Sequence, residues 1–337
     1  MLYLSHPACL EHDPRAQMPS HPDTPERLVA IEAALAERDW LGCERRPAPA
    51  ASERELELVH TARHVEHVRE LCRAGGGAID ADTFVGAASY RAALHAAGGA
   101  RELTRALLAG EDSVGFAAVR PSGHHAEPDR AMGFCLFDNV AVAAASAIAD
   151  LGLERVMVLD WDVHHGNGTV EAFRHRADVL VVNIHQSRLY PGTGPLDDLG
   201  SGEGAGYTIN LPVPPGSDEE LWLSLLEHIV VPIGESFAPQ LVLASAGFDA
   251  NREDPLAQCR LETSSFAQMA CQVRDLAARL GVPLGAVLEG GYHLASLVDS
   301  LLATIAALDG EGESVSAAPE AIFTSRAAAQ VAPYWTL

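Results

Sequence analysis

Residues 159–168 read LDWDVHHGNG and set Asp160, Asp162 and His164 at every second position. In an extended chain the side chains at i, i+2 and i+4 share one face. Two carboxylates and an imidazole would then crowd at the end of an apolar run, ERVMV, where a buried core is expected. Left uncompensated, such crowding is costly or forces a proton onto a carboxylate. A divalent cation relieves it. Asp249, in SAGFDA, offers a third ligand. Two carboxylates and one imidazole suit a borderline ion such as zinc and leave a coordination position open to water or substrate. Singly, each residue also fits a plainer role, Asp162 and Asp249 as helix N-caps and His164 as a bonded core histidine. The coincidence of all three favours a metal.

The pair His124 and His125, in RPSGHHAE, follows a glycine-containing turn. An imidazole has the side-chain pKa best suited to proton transfer near neutrality, so one ring can act as base and the other as its partner. Such a pair needs orienting acceptors, and Asp160 lies at a suitable strand end. Tyr292 follows Gly290 and Gly291, which let the backbone turn closely beside a sheet; a phenol there can donate to a developing oxyanion. Phe134, in MGFC, and Tyr190, in RLYPGTG, can wall a slot for an apolar chain, or serve as core or rim residues.

These residues must be positioned by something. SVGFAAV, RVMVLDW, DVLVVNI, QLVLASA and PLGAVLE are strand-length and almost continuously apolar, the pattern of strands buried on both faces of a parallel sheet. Ala-rich amphipathic stretches at about 88–109, 139–150, 219–238, 263–280 and 293–308 predict helices. Another is expected within HPDTPERLVAIEAALAER, with Thr24 as N-cap and Pro25 at the first helical position. Each of the five strands runs directly into polar or Gly-rich residues, so the carboxyl ends of a parallel sheet would deliver them to one place.

The bulk properties set limits. The 337 residues, 48% hydrophobic, suffice for a large core and show no repeat or composition break; one domain over 1–337 is expected. A net charge of −23 disfavours nucleic acid and anionic membrane as partners. Six scattered cysteines without a C-x-x-C pair argue against disulfides and a zinc knuckle. The absence of a long apolar run or a signal-like N-terminus gives the expectation of a soluble, cytoplasmic protein.

Taken in order, RPSGHHAEPDRAMGFCLFDN, VLDWDVHHGNGT, VVNIHQSRLYPGTG, LVLASAGFDANREDPL and LEGGY resemble the zinc-dependent histone deacetylase family. The likeness is to its class II and bacterial amidohydrolase branch, which includes acetylpolyamine amidohydrolases, and it runs over nearly the whole chain. It implies the arginase-deacetylase fold, an α/β architecture with a central eight-stranded parallel sheet flanked by helices. It implies Asp162, His164 and Asp249 as zinc ligands, His125 as general base, His124 with Asp160 as the supporting imidazole, and Asn167 as orienting partner where class I members carry Asp. Tyr292 would polarise the amide carbonyl; Phe134 and Tyr190 would line the acyl-lysine slot, and the Gly133 carbonyl would accept a substrate hydrogen bond. A structural potassium ion is implied at Asp160, Asp162, His164, Ile184 and Asn183, and a second around Phe173, Arg176, Val179 and Tyr207. Leu256 stands where a polyamine-selective relative carries Glu, and no long insertion precedes the helix at residue 88.

The reading is therefore a zinc deacylase acting on acetyl-lysine or a small acetylated amine, with acetylpolyamine hydrolysis as the alternative. An arginase-type guanidine hydrolase would need ligands for two manganese ions, and FDAN lacks the further carboxylate. A non-catalytic acyl-lysine-binding module would be expected to have lost Tyr292, a ligand or a paired histidine. All are present.

Overall fold

The structure is a computed structural model that describes residues 1–313 and 319–337. Its strands are β1 (Leu2–Ser5), β2 (Glu44–Pro47), β3 (Gly76–Ala78), β4 (Phe84–Gly86), β5 (Val114–Ala117), β6 (Val156–Asp160), β7 (Val179–Gln186), β8 (Thr208–Val213), β9 (Leu241–Ala246) and β10 (Leu284–Leu288). Its helices are α1 (Glu26–Ala36), α2 (Glu53–Leu56), α3 (Ala62–Arg73), α4 (Ser89–Leu108), α5 (Asn139–Ala149), α6 (Asn167–Phe173), α7 (Glu219–Leu225), α8 (Val231–Phe237), α9 (Thr263–Leu280), α10 (Leu294–Leu308) and α11 (Ile322–Val331).

Eight strands form one parallel sheet in the order β2-β1-β5-β10-β9-β6-β7-β8. The five strands expected from the sequence, β5, β10, β9, β6 and β7, are consecutive in space. Every residue of β6, β7, β9 and β10 is buried, because helices cover both faces and each Val or Leu side chain removed from water contributes about 1.5–3 kcal/mol. The strands not read individually lie toward the edges. β2, ERRP, is mostly exposed and carries no apolar signal. β3 and β4 form a separate antiparallel hairpin.

Two local expectations shift. The helix expected at 219–238 is interrupted by a π turn at Leu226–Val230, just before Pro232, whose missing N–H disrupts the regular ladder. Helix α1 begins at Glu26, with Pro25 rather than Thr24 at the N-cap and no side-chain cap; Thr24, one residue outside the observed boundary, accepts the Arg27 N–H through its carbonyl at 3.2 Å. All six cysteines are buried and unpaired, and no described helix is long and apolar enough to cross a membrane.

Candidate active site

Strand β6 stops at Asp160, so strict alternation does not continue through His164. Asp160 turns away from the other two. One of its oxygens accepts the Asp162 N–H at 3.0 Å and the other pairs with His124 Nδ1 at 2.9 Å. Past the strand end, Asp162 and His164 meet Asp249 from the loop after β9. His164 Nδ1 lies 3.1 Å from Asp162 Oδ1 and 3.0 Å from Asp249 Oδ2, all three residues are buried, and their ligand atoms lie within 4.8 Å of one another. Four bonds of zinc-like length in a tetrahedron separate ligand atoms by about 3.3 Å, so the donor set fits one such ion.

Backbone groups hold the carboxylates. Asp162 Oδ2 accepts the Gly290 N–H at 2.7 Å and Asp249 Oδ1 that of Val163 at 2.9 Å. Gly290 must be glycine here, since a Cβ would lie 2.1 Å from Asp249 Oδ2 and 2.5 Å from Asp162 Oδ2. Without a cation, burial and the neighbouring Asp162 raise Asp249 to about 7. Burial would lower His164, but Asp249 and Asp162 outweigh it and raise it to about 10. Burial likewise acts to raise Asp162, yet the facing His124 and His164 hold it low. Burial and mutual charge thus favour a proton among these groups, which a divalent ion would replace.

The two histidines after β5 differ in charge. His125 is pushed well below the usual range by burial and by neighbouring His124 and His164; it is neutral. Its Nδ1 lies 2.8 Å from Asn167 Oδ1, and an amide oxygen only accepts, so Nδ1 carries the hydrogen and Nε2 keeps its lone pair. The Asn167 amide is itself oriented by donating to Glu127 Oε1 at 2.8 Å. Burial opposes charge on His124, but Asp160 and Asp162 overcome it and raise the ring well above normal.

A cavity of about 210 Å³ leads inward to His125, His164 and Tyr292. Gly133, Phe134 and Tyr190 line its walls, and Leu256 joins them. Gly133 and Phe134 both have positive φ, 57° and 67°. This turn sets Phe134 edge-on to Tyr292, with ring centres 5.8 Å apart, and a Cβ at Gly133 would strike the His125 ring at 2.4 Å. Tyr292 donates its N–H to Asp254 Oδ2 at 2.7 Å, while Asp254 Oδ1 accepts from Leu256 at 2.9 Å, so one buried carboxylate ties the tyrosine loop to the rim.

Sequence reasoning missed several residues. Asp82 and Leu189 line the slot; Asp82 arrives on the β3–β4 turn, from a hairpin with no apolar signal. Glu289, read only as a strand end, accepts the N–H groups of Gly123 at 2.7 Å and His124 at 3.3 Å, and burial raises it to about 8. Buried Arg27 donates to the carbonyls of Gly291 (2.6 Å) and Glu289 (2.5 Å), and its guanidinium lies 4.9 Å from the centre of the Tyr292 ring. Asp23 joins Arg27 to Arg120 at 3.0 and 2.7 Å. No spacing rule links residues this distant in sequence. Of the residues tied to potassium, Asn183 lies across from Asp160 in the β6–β7 register, but its Oδ1 already accepts the Gly166 N–H at 2.9 Å. Phe173, Arg176, Val179 and Tyr207 do not join the slot; Val179 begins β7, at the far end of the sheet.

The histone deacetylase domain family matches residues 21–308. A histone deacetylase-like amidohydrolase of Pseudomonas aeruginosa is 42% identical over 298 residues, 87% of this chain and 77% of that protein. A probable deacetylase of Archaeoglobus fulgidus is 38% identical over 321 residues, 94% of this chain and 88% of that one. A crystal structure of the HDA15 HD domain superposes with a TM-score of 0.92 at 36% identity, covering 99% of this chain and 94% of that one. The sheet and its flanking helices form the arginase-deacetylase fold.

Proposed function

The chain belongs to the histone deacetylase family, and from that premise we propose a zinc-dependent amidohydrolase that removes acetyl or a similar short acyl group from a lysine side chain or a small amine. The observation that carries this reading is the buried Asp162–His164–Asp249 trio at the floor of a slot that also holds a neutral imidazole.

Asp162, His164 and Asp249 would hold the ion. When bound, it supplies Lewis acidity toward the amide carbonyl and the attacking water. His125 takes the proton of that water at Nε2, the nitrogen that Asn167 leaves free. His124, charged beside Asp160, keeps positive potential next to the reacting carbonyl. Tyr292 donates its hydroxyl to the carbonyl oxygen as charge develops there. A protonated histidine then delivers the proton to the amine as the C–N bond breaks. Phe134 and Tyr190 flank the acyl-amine stem, the Gly133 carbonyl accepts its N–H, and Leu256 forms an apolar rim.

Two structural potassium ions are part of this reading. Asp160, with carbonyls of Asp162, His164 and Ile184 and with Asn183 at its edge, would hold one; carbonyls of Phe173, Arg176 and Val179 near Tyr207 would hold the other. Their support is the motif resemblance. We take residues 1–337 as a single domain in the cytoplasm, supported by the length of the family match and by the unpaired cysteines, with an acylated amine rather than nucleic acid or membrane as partner.

Purified protein should contain about one zinc per chain and hydrolyse a fluorogenic acetyl-lysine reporter; acetylputrescine assayed in parallel separates protein-type from polyamine substrates. Two bound manganese ions with guanidine hydrolysis would overturn the proposal.

A further inference from the structure

The slot opens onto a longer groove. Beside its mouth lies a cavity of about 660 Å³ that shares Leu189 and Leu256 with the slot and is also lined by Arg188 and Gln258. A second cavity, about 710 Å³, shares Ser187 and Arg188 with the first and continues to Phe323, Arg326 and Gln330 on α11. The path therefore runs from the slot mouth over Arg188 to Arg326.

The two arginines stand out on this surface. The chain has no lysine, so its 23 basic residues are all arginines, set against 46 acidic ones. Most of these guanidinium groups are committed to carboxylates or carbonyls. Among the described residues, the guanidinium groups of Arg188, Arg260 and Arg326 make no hydrogen bond, ion pair or ring contact and are exposed, and of these three Arg188 and Arg326 line the groove. Arg188 also sits at φ 62°, one of six non-glycine residues with positive φ among those described. Of these six, Phe134 already lines the slot, and Arg188 lies at the junction of the two cavities. A side chain held in an unfavourable backbone region, at a cleft and without an internal partner, is a candidate ligand contact. Among the described residues, exposed Asp197 is the one carboxylate lining these two cavities, and Asp82 lines the slot beside them.

Resting on the deacylase reading above, we propose that this groove binds the acidic flank of a peptide substrate. With the acyl-lysine side chain in the slot, a Glu or Asp near it in the peptide pairs with Arg188, and a more distant one pairs with Arg326. Bidentate geometry favours carboxylates at such sites. The rest of the molecule, at net charge −23, repels an acidic peptide, so recognition depends on these two guanidinium groups.

The test compares kcat/KM for acetyl-lysine peptides flanked by Glu with that for peptides flanked by Arg, in wild type, R188Q and R326Q. An unflanked acetyl-lysine reporter and free acetyl-lysine, which bears only its own carboxylate, are run alongside. The expected result is a Glu-to-Arg ratio that falls about two- to fivefold in each variant, as for exposed ion pairs, and that shrinks in high salt. A ratio unchanged in both variants overturns the inference. A fall in R188Q alone, or an equal effect on free acetyl-lysine, also overturns it, since the contact would then end at the slot mouth. If wild type leaves the unflanked reporter intact, the deacylase reading fails and this inference with it.

Discussion

Burial and mutual charge favour at least one proton among Asp162, His164 and Asp249, and a cation between them competes with it. With His164 raised to about 10 by Asp249 and Asp162, against its burial, and Asp249 raised to about 7 by burial and Asp162, a bound ion displaces about one and a half protons at neutral pH, about one in mildly alkaline and nearly two in mildly acidic solution. Apparent metal affinity should therefore rise with pH, by about one decade per unit above neutrality and more steeply below it. Calorimetry in buffers of different ionisation enthalpy checks this, and a binding heat independent of buffer would contradict it. Tyr292 gives a second prediction at this scale. Its side chain is not part of the trio, so Tyr292→Phe should keep the metal while turnover drops about 10²- to 10³-fold, the usual cost of losing one oxyanion donor. Steady-state kinetics beside elemental analysis separates the two effects.

The parallel strands aim the polar groups, and the segments after them decide their spacing. Asp160 ends β6 and turns to His124, while Asp162 and His164, beyond the strand, meet a carboxylate delivered by β9. The loop after β10 closes the same centre from a third side, with Gly290 against both carboxylates. Gly290→Ala should therefore abolish metal retention, because its Cβ would sit 2.1 Å from Asp249 Oδ2 and 2.5 Å from Asp162 Oδ2, and both carboxylates are buried and held by backbone N–H groups. Circular dichroism should still report the fold. Full zinc content in this variant would show that the loop can move aside.

Over the whole molecule, the loop after β10 is braced by the N-terminal segment. Asp23 lies fully buried between Arg27 and Arg120, and although burial opposes its charge, Arg120, His12 and Arg27 hold it well below the usual carboxylate range. Asp23→Ala leaves two guanidinium groups buried with one counter-charge fewer. Removing one member of a buried ionic group typically costs about 3–5 kcal/mol, so the urea midpoint should fall markedly. The Tyr292 loop should also loosen, because Arg27 bonds its carbonyls. A midpoint within error of wild type would mean that the carbonyls and His12 compensate fully.

The sequence alone determined the chemistry and the sheet that presents it. Alternating acids and an imidazole at the end of an apolar run, paired histidines after a turn and a tyrosine after two glycines are local signals, and hydrophobic runs buried on both faces mark central strands wherever they occur. Tertiary structure decided what depends on distant contacts. Edge strands such as β2 carry no apolar pattern, because one flank meets water. Asp82 reaches the slot on a hairpin, Arg27 reaches the Glu289 and Gly291 carbonyls of the tyrosine loop across more than 260 residues of chain, and Arg188 stands at the junction of two cavities that only the folded chain forms. Local pattern records which face is buried; which remote group fills the space beside it is settled by packing alone.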